Sequence, residues 1–217
     1  MDLTTFGHSC ILLTYPGAQI LFDPGTFSTG FESLTGLDAI VVTHQHADHL
    51  DPQRFGALVA ANPDARILAE PSVAGILGRG ELLEPVAAQP LAAGEQAGIG
   101  GITLQAVGGR HAVIHADIPQ IGNVGVTVSA PGEPTVFHPG DSLDVTPPGI
   151  DILAVPVSAP WCAVKETIDF VRAVGAPQAV PIHDKTTSEQ GRAIYVGHIE
   201  RLGGVSWADM ADGQASM

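Results

Sequence analysis

The chain has 217 residues, 45% of them hydrophobic, which supports one sizeable core and leaves little room for two. Nine Lys and Arg stand against 23 Asp and Glu, a formal net charge of −14 without any basic cluster, which excludes a nucleic-acid surface built on counterion displacement. Two cysteines, Cys10 and Cys162, exclude a disulfide framework, and no apolar run approaches the roughly 18 residues of a membrane span.

Residues 1–5 lack the basic-then-apolar order of a secretory leader, so the expectation is a cytoplasmic protein. Residues 2–15 and 19–22 read as a hairpin turning at Pro16-Gly17, which puts His8 on the first strand and delivers Asp23 to a strand end. The apolar run 39–42 is a short buried strand. Asp51 as N-cap and Pro52 in the first turn then open a helix to residue 61. A strand at 65–69 and a short helix at 71–77 follow, and short strands alternate with Gly-rich turns over 82–107. Segments 124–129 and 135–138 form a second hairpin that delivers Asp141. A strand at 150–156, a helix at 164–174, a strand at 178–182 and a closing helix at 188–202 complete one domain over 1–217. Two halves, each of strands and helices, predict two sheets packed face to face with helices outside.

His44-Gln45-His46-Ala47-Asp48-His49 reads H-x-H-x-D-H, on a turn between a strand end and a helix. Imidazole nitrogen and carboxylate oxygen are the donors that borderline divalent ions such as zinc accept. His44 and His46, two apart on extended chain, point the same way and can share one ion. Asp48 and His49, beyond the bend, can reach a second. Further donors stand where apolar runs give way to Gly or Pro: His111 after Gly108-Gly109-Arg110, Asp141 after Pro139-Gly140, and His183 after Pro181-Ile182. His115 and His138 rival His111.

Around these donors several readings stay open. Asp23 either accepts the free N–H of a ligand histidine or caps the turn at Pro24-Gly25. His8 contacts substrate, holds Asp23, or is a satisfied buried histidine. Trp161, in Ser158-Ala159-Pro160-Trp161-Cys162, walls the pocket or packs beneath its loop. Cys162 lacks an adjacent base. Lys185 is a lone cation near His183, and His198 is an ordinary position on the closing helix.

The ordered series of Asp23 in Leu21-Phe22-Asp23-Pro24, the H-x-H-x-D-H run, His111, Asp141 and His183 resembles the metallo-β-lactamase-fold hydrolases over nearly the whole chain. Phe6-Gly7-His8-Ser9-Cys10 and the compact size are most similar to the small single-domain branch that includes the ascorbate-phosphate lactonase. The resemblance implies an α/β fold, a four-layer αβ/βα sandwich of two mixed sheets flanked by helices, with the metal loops along one edge. It implies His44, His46 and His111 on one ion, Asp48, His49 and His183 on a second, and Asp141 between them. Two divalent ions are expected, zinc first, with manganese, iron or nickel accepted by the same donors.

The implied activity is hydrolysis of a small-molecule ester, lactone or phosphodiester by a bridging hydroxide, with Asp48 and Asp141 as catalytic carboxylates. Zinc brings the pKa of bound water from about 15.7 to about 7. The alternative is a metal-dependent oxidoreductase on the same scaffold. Relatives that reduce oxygen or nitric oxide carry glutamate where this chain has His46, and they add a flavin domain. Members that cleave β-lactams are secreted, which points this chain away from antibiotic hydrolysis.

Overall fold

Strand β4 (Ala39–Val42) alternates between two buried faces. Ala39 and Val41 belong to one apolar cluster, Ile40 and Val42 to another. A strand covered on both sides reads as an unbroken apolar run because each face must be hydrophobic. The computed structural model describes residues 1–208 and 214–215. In chain order its first half is β1 (Asp2–Thr5), β2 (Ile11–Tyr15), β3 (Ala18–Phe22), β4, α1 (Phe55–Ala61), β5 (Arg66–Ala69), α2 (Pro71–Arg79) and β6 (Gln89–Pro90). The second half is β7 (Gln96–Ile99), β8 (Ile102–Gly108), β9 (Val124–Ser129), β10 (Val136–His138), β11 (Ile152–Pro156), α3 (Val164–Val174), β12 (Gln178–Ile182), α4 (Glu189–Gly203) and β13 (Ser206–Trp207). Strand β14 (Gln214–Ala215) pairs with β1.

Two seven-stranded mixed sheets form in nearly sequential order, the six strands of the first half joined at their edge by β14: β14-β1-β2-β3-β4-β5-β6 and β13-β12-β11-β10-β9-β8-β7. Antiparallel pairs open each sheet and parallel pairs close it, from β3–β4 onward in the first and from β10–β11 in the second. The central core joins the sheets through Leu13, Ile20, Phe22, Leu104, Val126 and Ile152. Phe55 and Leu58 of α1 and Val73 and Leu77 of α2 cover the outer face of the first sheet. Ile168 and Val171 of α3 and Ile199 of α4 cover the second. This is the αβ/βα sandwich that the resemblance implies. Among the described residues no helix is long and apolar enough to cross a membrane.

Two of the expected elements take a different form, and β13 and β14 are additional to the sequence reading. The strand expected over 2–15 breaks into β1 and β2 at a turn over residues 6–10, so His8 sits in a turn and not on a strand. Gly7 (φ 87) and His8 (φ 52) both take left-handed backbone there, which no strand residue adopts. Helix α1 starts at Phe55. Asp51 instead caps the preceding turn, its Oδ1 accepting from the backbone N–H of Gln53 (2.7 Å) and Arg54 (3.0 Å). The Arg54 guanidinium pins that turn to Asp51, Glu32 and the carbonyls of Gly25 and Ser28.

Candidate metal centre

The loops that leave β3, β4, β10, β11 and β12 at their carboxyl ends, with the β1–β2 turn and the β8–β9 segment, converge on one edge of the sandwich. Open α/β sheets bind ligands beyond the carboxyl ends of their strands, where parallel strands release their loops together. The H-x-H-x-D-H turn rests on Gly25. A Cβ there would lie 1.7 Å from the Asp48 carbonyl oxygen, so only glycine lets the two backbones meet. Thr26 N–H bonds to Ala47 O (2.8 Å) and Asp51 N–H to Pro24 O (3.0 Å), clamping the turn from both ends.

Asp23 organises the layer beneath. Its Oδ1 accepts from Thr43 N–H (2.8 Å), and its Oδ2 accepts from Thr43 Oγ1 (2.7 Å) and from His49 Nδ1 (2.7 Å). Thr43 Oγ1 lies 3.0 Å from His44 Nδ1, so one buried carboxylate orients two histidines. His111 Nδ1 donates to Ala112 O (2.6 Å) and His183 Nδ1 to Ser158 O (2.7 Å). In every case Nδ1 is engaged by the protein and Nε2 is left to face the site, the arrangement that fixes tautomer and raises donor strength in metal sites.

The facing atoms form two groups. His44, His46, His111 and Asp141 offer donor atoms within 4.8 Å of one another, and so do His8, Asp48, His49 and His183. Asp141 sits between the groups. Its Oδ1 is 3.1 Å from His49 Nε2, while its Oδ2 is 3.1 Å from His183 Nε2 and 3.3 Å from His111 Nε2. Gly140 holds it there: at φ 60, a Cβ would lie 2.2 Å from Asn123 Oδ1, the atom that accepts from Asp141 N–H (2.9 Å).

Charge differs among the rings. Burial pushes His44 well below the ordinary histidine range and keeps it neutral. Burial opposes charge on His49 too, but Asp141 and Asp23 outweigh it and hold that ring well above the range; His183 is raised in the same way, chiefly by Asp141. Burial opposes charge on Asp141, and the raised His49 and His183 outweigh it and hold its carboxyl well below the usual range. Against burial, the hydrogen bond from His8 helps hold Asp48 down to about 2.

Four atoms test whether metal fits. His44 Nε2, His49 Nε2, His111 Nε2 and Asp141 Oδ1 are buried without a hydrogen-bond partner. Such orphans cost on the order of 1–3 kcal/mol each, and these point at one another across the site. Divalent cations that take nitrogen and oxygen donors, one in each group, would satisfy all four. Backbone strain marks the same place: the three non-glycine residues with positive φ among the described residues are His8 (52), Asp23 (45) and His183 (56).

All seven expected donors thus stand at one edge, and the rival histidines stand elsewhere. His115 is exposed, near Asp117. His138 Nε2 donates to Ser9 O (3.0 Å) while Nδ1 accepts from Gly140 N–H (3.2 Å), so both of its nitrogens are used in tying the β1–β2 turn to the Gly-Asp turn. His198 is half-buried on α4. Asp23 meets a site histidine with its side chain, and the turn at Gly25 is closed instead by Asp23's backbone oxygen. His8 holds Asp48 (3.0 Å), not Asp23. Trp161 neither merely walls the site nor packs beneath its loop: its indole N–H donates to Asp141 Oδ2 (3.0 Å). Lys185 meets His8 through its backbone N–H. The Cys162 thiol, raised by burial, contacts Thr167 and no base.

Residues 2–183 match the family described as Beta-lactamase superfamily domain. Protein Rv0786c of Mycobacterium tuberculosis is 43% identical over 93% of this chain and 92% of its own length. A UPF0173 metal-dependent hydrolase of Aeropyrum pernix is 34% identical over 64% of this chain and 61% of its own, so the match spans under two thirds of that protein. In three dimensions the chain is similar to the metallo-beta-lactamase fold protein YhfI of Bacillus subtilis (TM-score 0.73, 14% identity, 100% of this chain and 98% of that one). It is also similar to CmlA, a diiron beta-hydroxylase of Streptomyces venezuelae (TM-score 0.74, 16% identity, 100% of this chain and 53% of that one). At these identities the likeness to the two structures is one of fold.

Proposed function

The chain belongs to the beta-lactamase superfamily, as a metal-dependent hydrolase of it, and we propose that it cleaves a small ester, lactone or phosphodiester with two divalent ions. The observation that carries the two-ion reading is the place of Asp141, whose two oxygens reach between the donor groups. His44, His46 and His111 would hold one ion; Asp48, His49 and His183 the other; Asp141 both. Zinc suits these donors best, and manganese, iron or nickel would also be accepted. Bound there, the ions supply Lewis acidity toward a carbonyl or phosphoryl oxygen and bring the pKa of water to about 7.

The chain's own residues do the rest. The protein engages Nδ1 of His44, His49, His111 and His183, so each ring enters the site in one orientation without reorganising. His8 holds Asp48 Oδ2, leaving Oδ1 as the atom that orients the attacking water or takes its proton. Asp48 stays ionised across the working range, its carboxyl held at about 2, so it acts as acceptor and not as resting acid.

Metal analysis of purified protein tests the reading directly. Two equivalents of divalent ion per chain, with hydrolysis lost on chelation and regained on reloading, are expected. One equivalent, or none, would remove the basis for a two-ion mechanism.

A further inference from the structure

Trp161 stands in the segment between β11 and α3, on a short loop closed by the Cys162 N–H bond to Ala159 O (3.3 Å). The same loop supplies Ser158 O, which accepts from His183 Nδ1 (2.7 Å). The Trp161 ring meets His111 and His183 edge-on, at centroid separations of 6.0 and 5.9 Å and interplanar angles of 77° and 72°. One indole therefore touches a histidine from each donor group. An indole N–H is a donor only, and a half-buried one seeks a fixed acceptor. Here the acceptor is Oδ2 of Asp141, at 3.0 Å.

That bond makes the two oxygens of Asp141 unequal. Oδ1 faces His49 Nε2 at 3.1 Å without a well-aligned hydrogen bond, whereas Oδ2 gives one of its directions to the indole. The carboxylate cannot then rotate about its own axis without breaking the bond. We infer that Trp161 is a positioning residue for the carboxylate that would serve both ions: its N–H sets the plane of Asp141 and so the direction in which its oxygens are offered to the two donor groups. The inference rests on the two-ion reading of the site. It assigns Trp161 a task beyond bounding a pocket, and it makes the indole a reporter of occupancy.

The test uses zinc alone, which changes emission only through the indole's surroundings because it is not paramagnetic. Stoichiometric zinc should shift Trp161 emission in the wild-type protein. Trp161→Phe keeps the ring and loses the N–H. Outer partners of metal ligands contribute about 10–100-fold in affinity, so this variant should bind zinc at least about tenfold more weakly while melting like the wild type when metal-free. It should also lose the zinc-dependent emission change, since Trp207 bonds instead to Val196 O on α4. Equal zinc affinity in the two proteins would overturn the role of Trp161, as would wild-type emission indifferent to bound zinc. Wild-type protein that takes up no zinc would overturn the metal reading itself, a separate outcome.

Discussion

Nε2 of His8 lies 3.0 Å from Oδ2 of Asp48, while Nδ1 of the same ring faces the backbone N–H of Lys185 at 3.4 Å. An acceptor at Nδ1 leaves the proton on Nε2, so His8 donates to the carboxylate. Its carbonyl also accepts from His183 N–H (3.1 Å). The β1–β2 turn thus holds two members of one donor group. His8→Ala should weaken the ion at Asp48, His49 and His183 by about 10–100-fold and spare the other. His8→Gln, which can still donate, should recover part of that loss. Chelator competition resolving two affinities measures it, and equal weakening of both ions would contradict it.

Asp141→Ala should lose both ions and all metal-dependent turnover, because it removes a donor from each group. His115→Ala should keep both ions, its ring being exposed away from the site. Metal counting after dialysis decides the pair.

Stability should report proton displacement by metal. His49 and His183 have raised pKa values in the metal-free fold. A raised histidine stabilises the fold fully below its ordinary value of about 6.5, and the contribution is lost as pH climbs through the raised value. A metal must displace those protons, so its binding strengthens in the direction in which their stabilisation fades. The rise in melting temperature on adding zinc should therefore be larger at pH 8 than at pH 6. A rise independent of pH, or larger at pH 6, would contradict the charge states described for these rings.

Gly140→Ala should destabilise by about 1–3 kcal/mol or more, since it adds a Cβ 2.2 Å from Asn123 Oδ1 at a left-handed φ, and should release metal by moving Asp141. Gly98→Ala, with nothing within 4 Å of the added Cβ, is the control that should leave melting and metal content unchanged.

Much of this site is legible in the chain. His44 to His49 declare themselves because ligand spacing is local, and Asp141 and His183 because each follows an apolar run at a strand end. The sandwich is legible from runs such as 39–42 and 152–156, whose two buried faces leave no polar position. What hides is what depends on contact across the fold. His8 reads as strand because residues 2–15 are taken as one unbroken arm of a hairpin, whereas its turn rests on left-handed backbone at Gly7 and His8. Trp161 is an ordinary tryptophan until Asp141, 20 residues away in sequence, meets its N–H. Strands β13 and β14, two residues each, are too short to carry a period.

The reaction itself is tested most directly by offering metal-loaded protein a panel of esters, lactones, thioesters and phosphodiesters, with oxygen uptake followed in parallel. Turnover of at least one substrate is expected without any redox cofactor, with a rate that rises with pH and then levels. Asp48→Asn should lower kcat more than it changes KM, because an amide fills the space but takes no proton. Oxygen consumption with an electron donor, and no hydrolysis of any member of the panel, would contradict hydrolysis as the reaction.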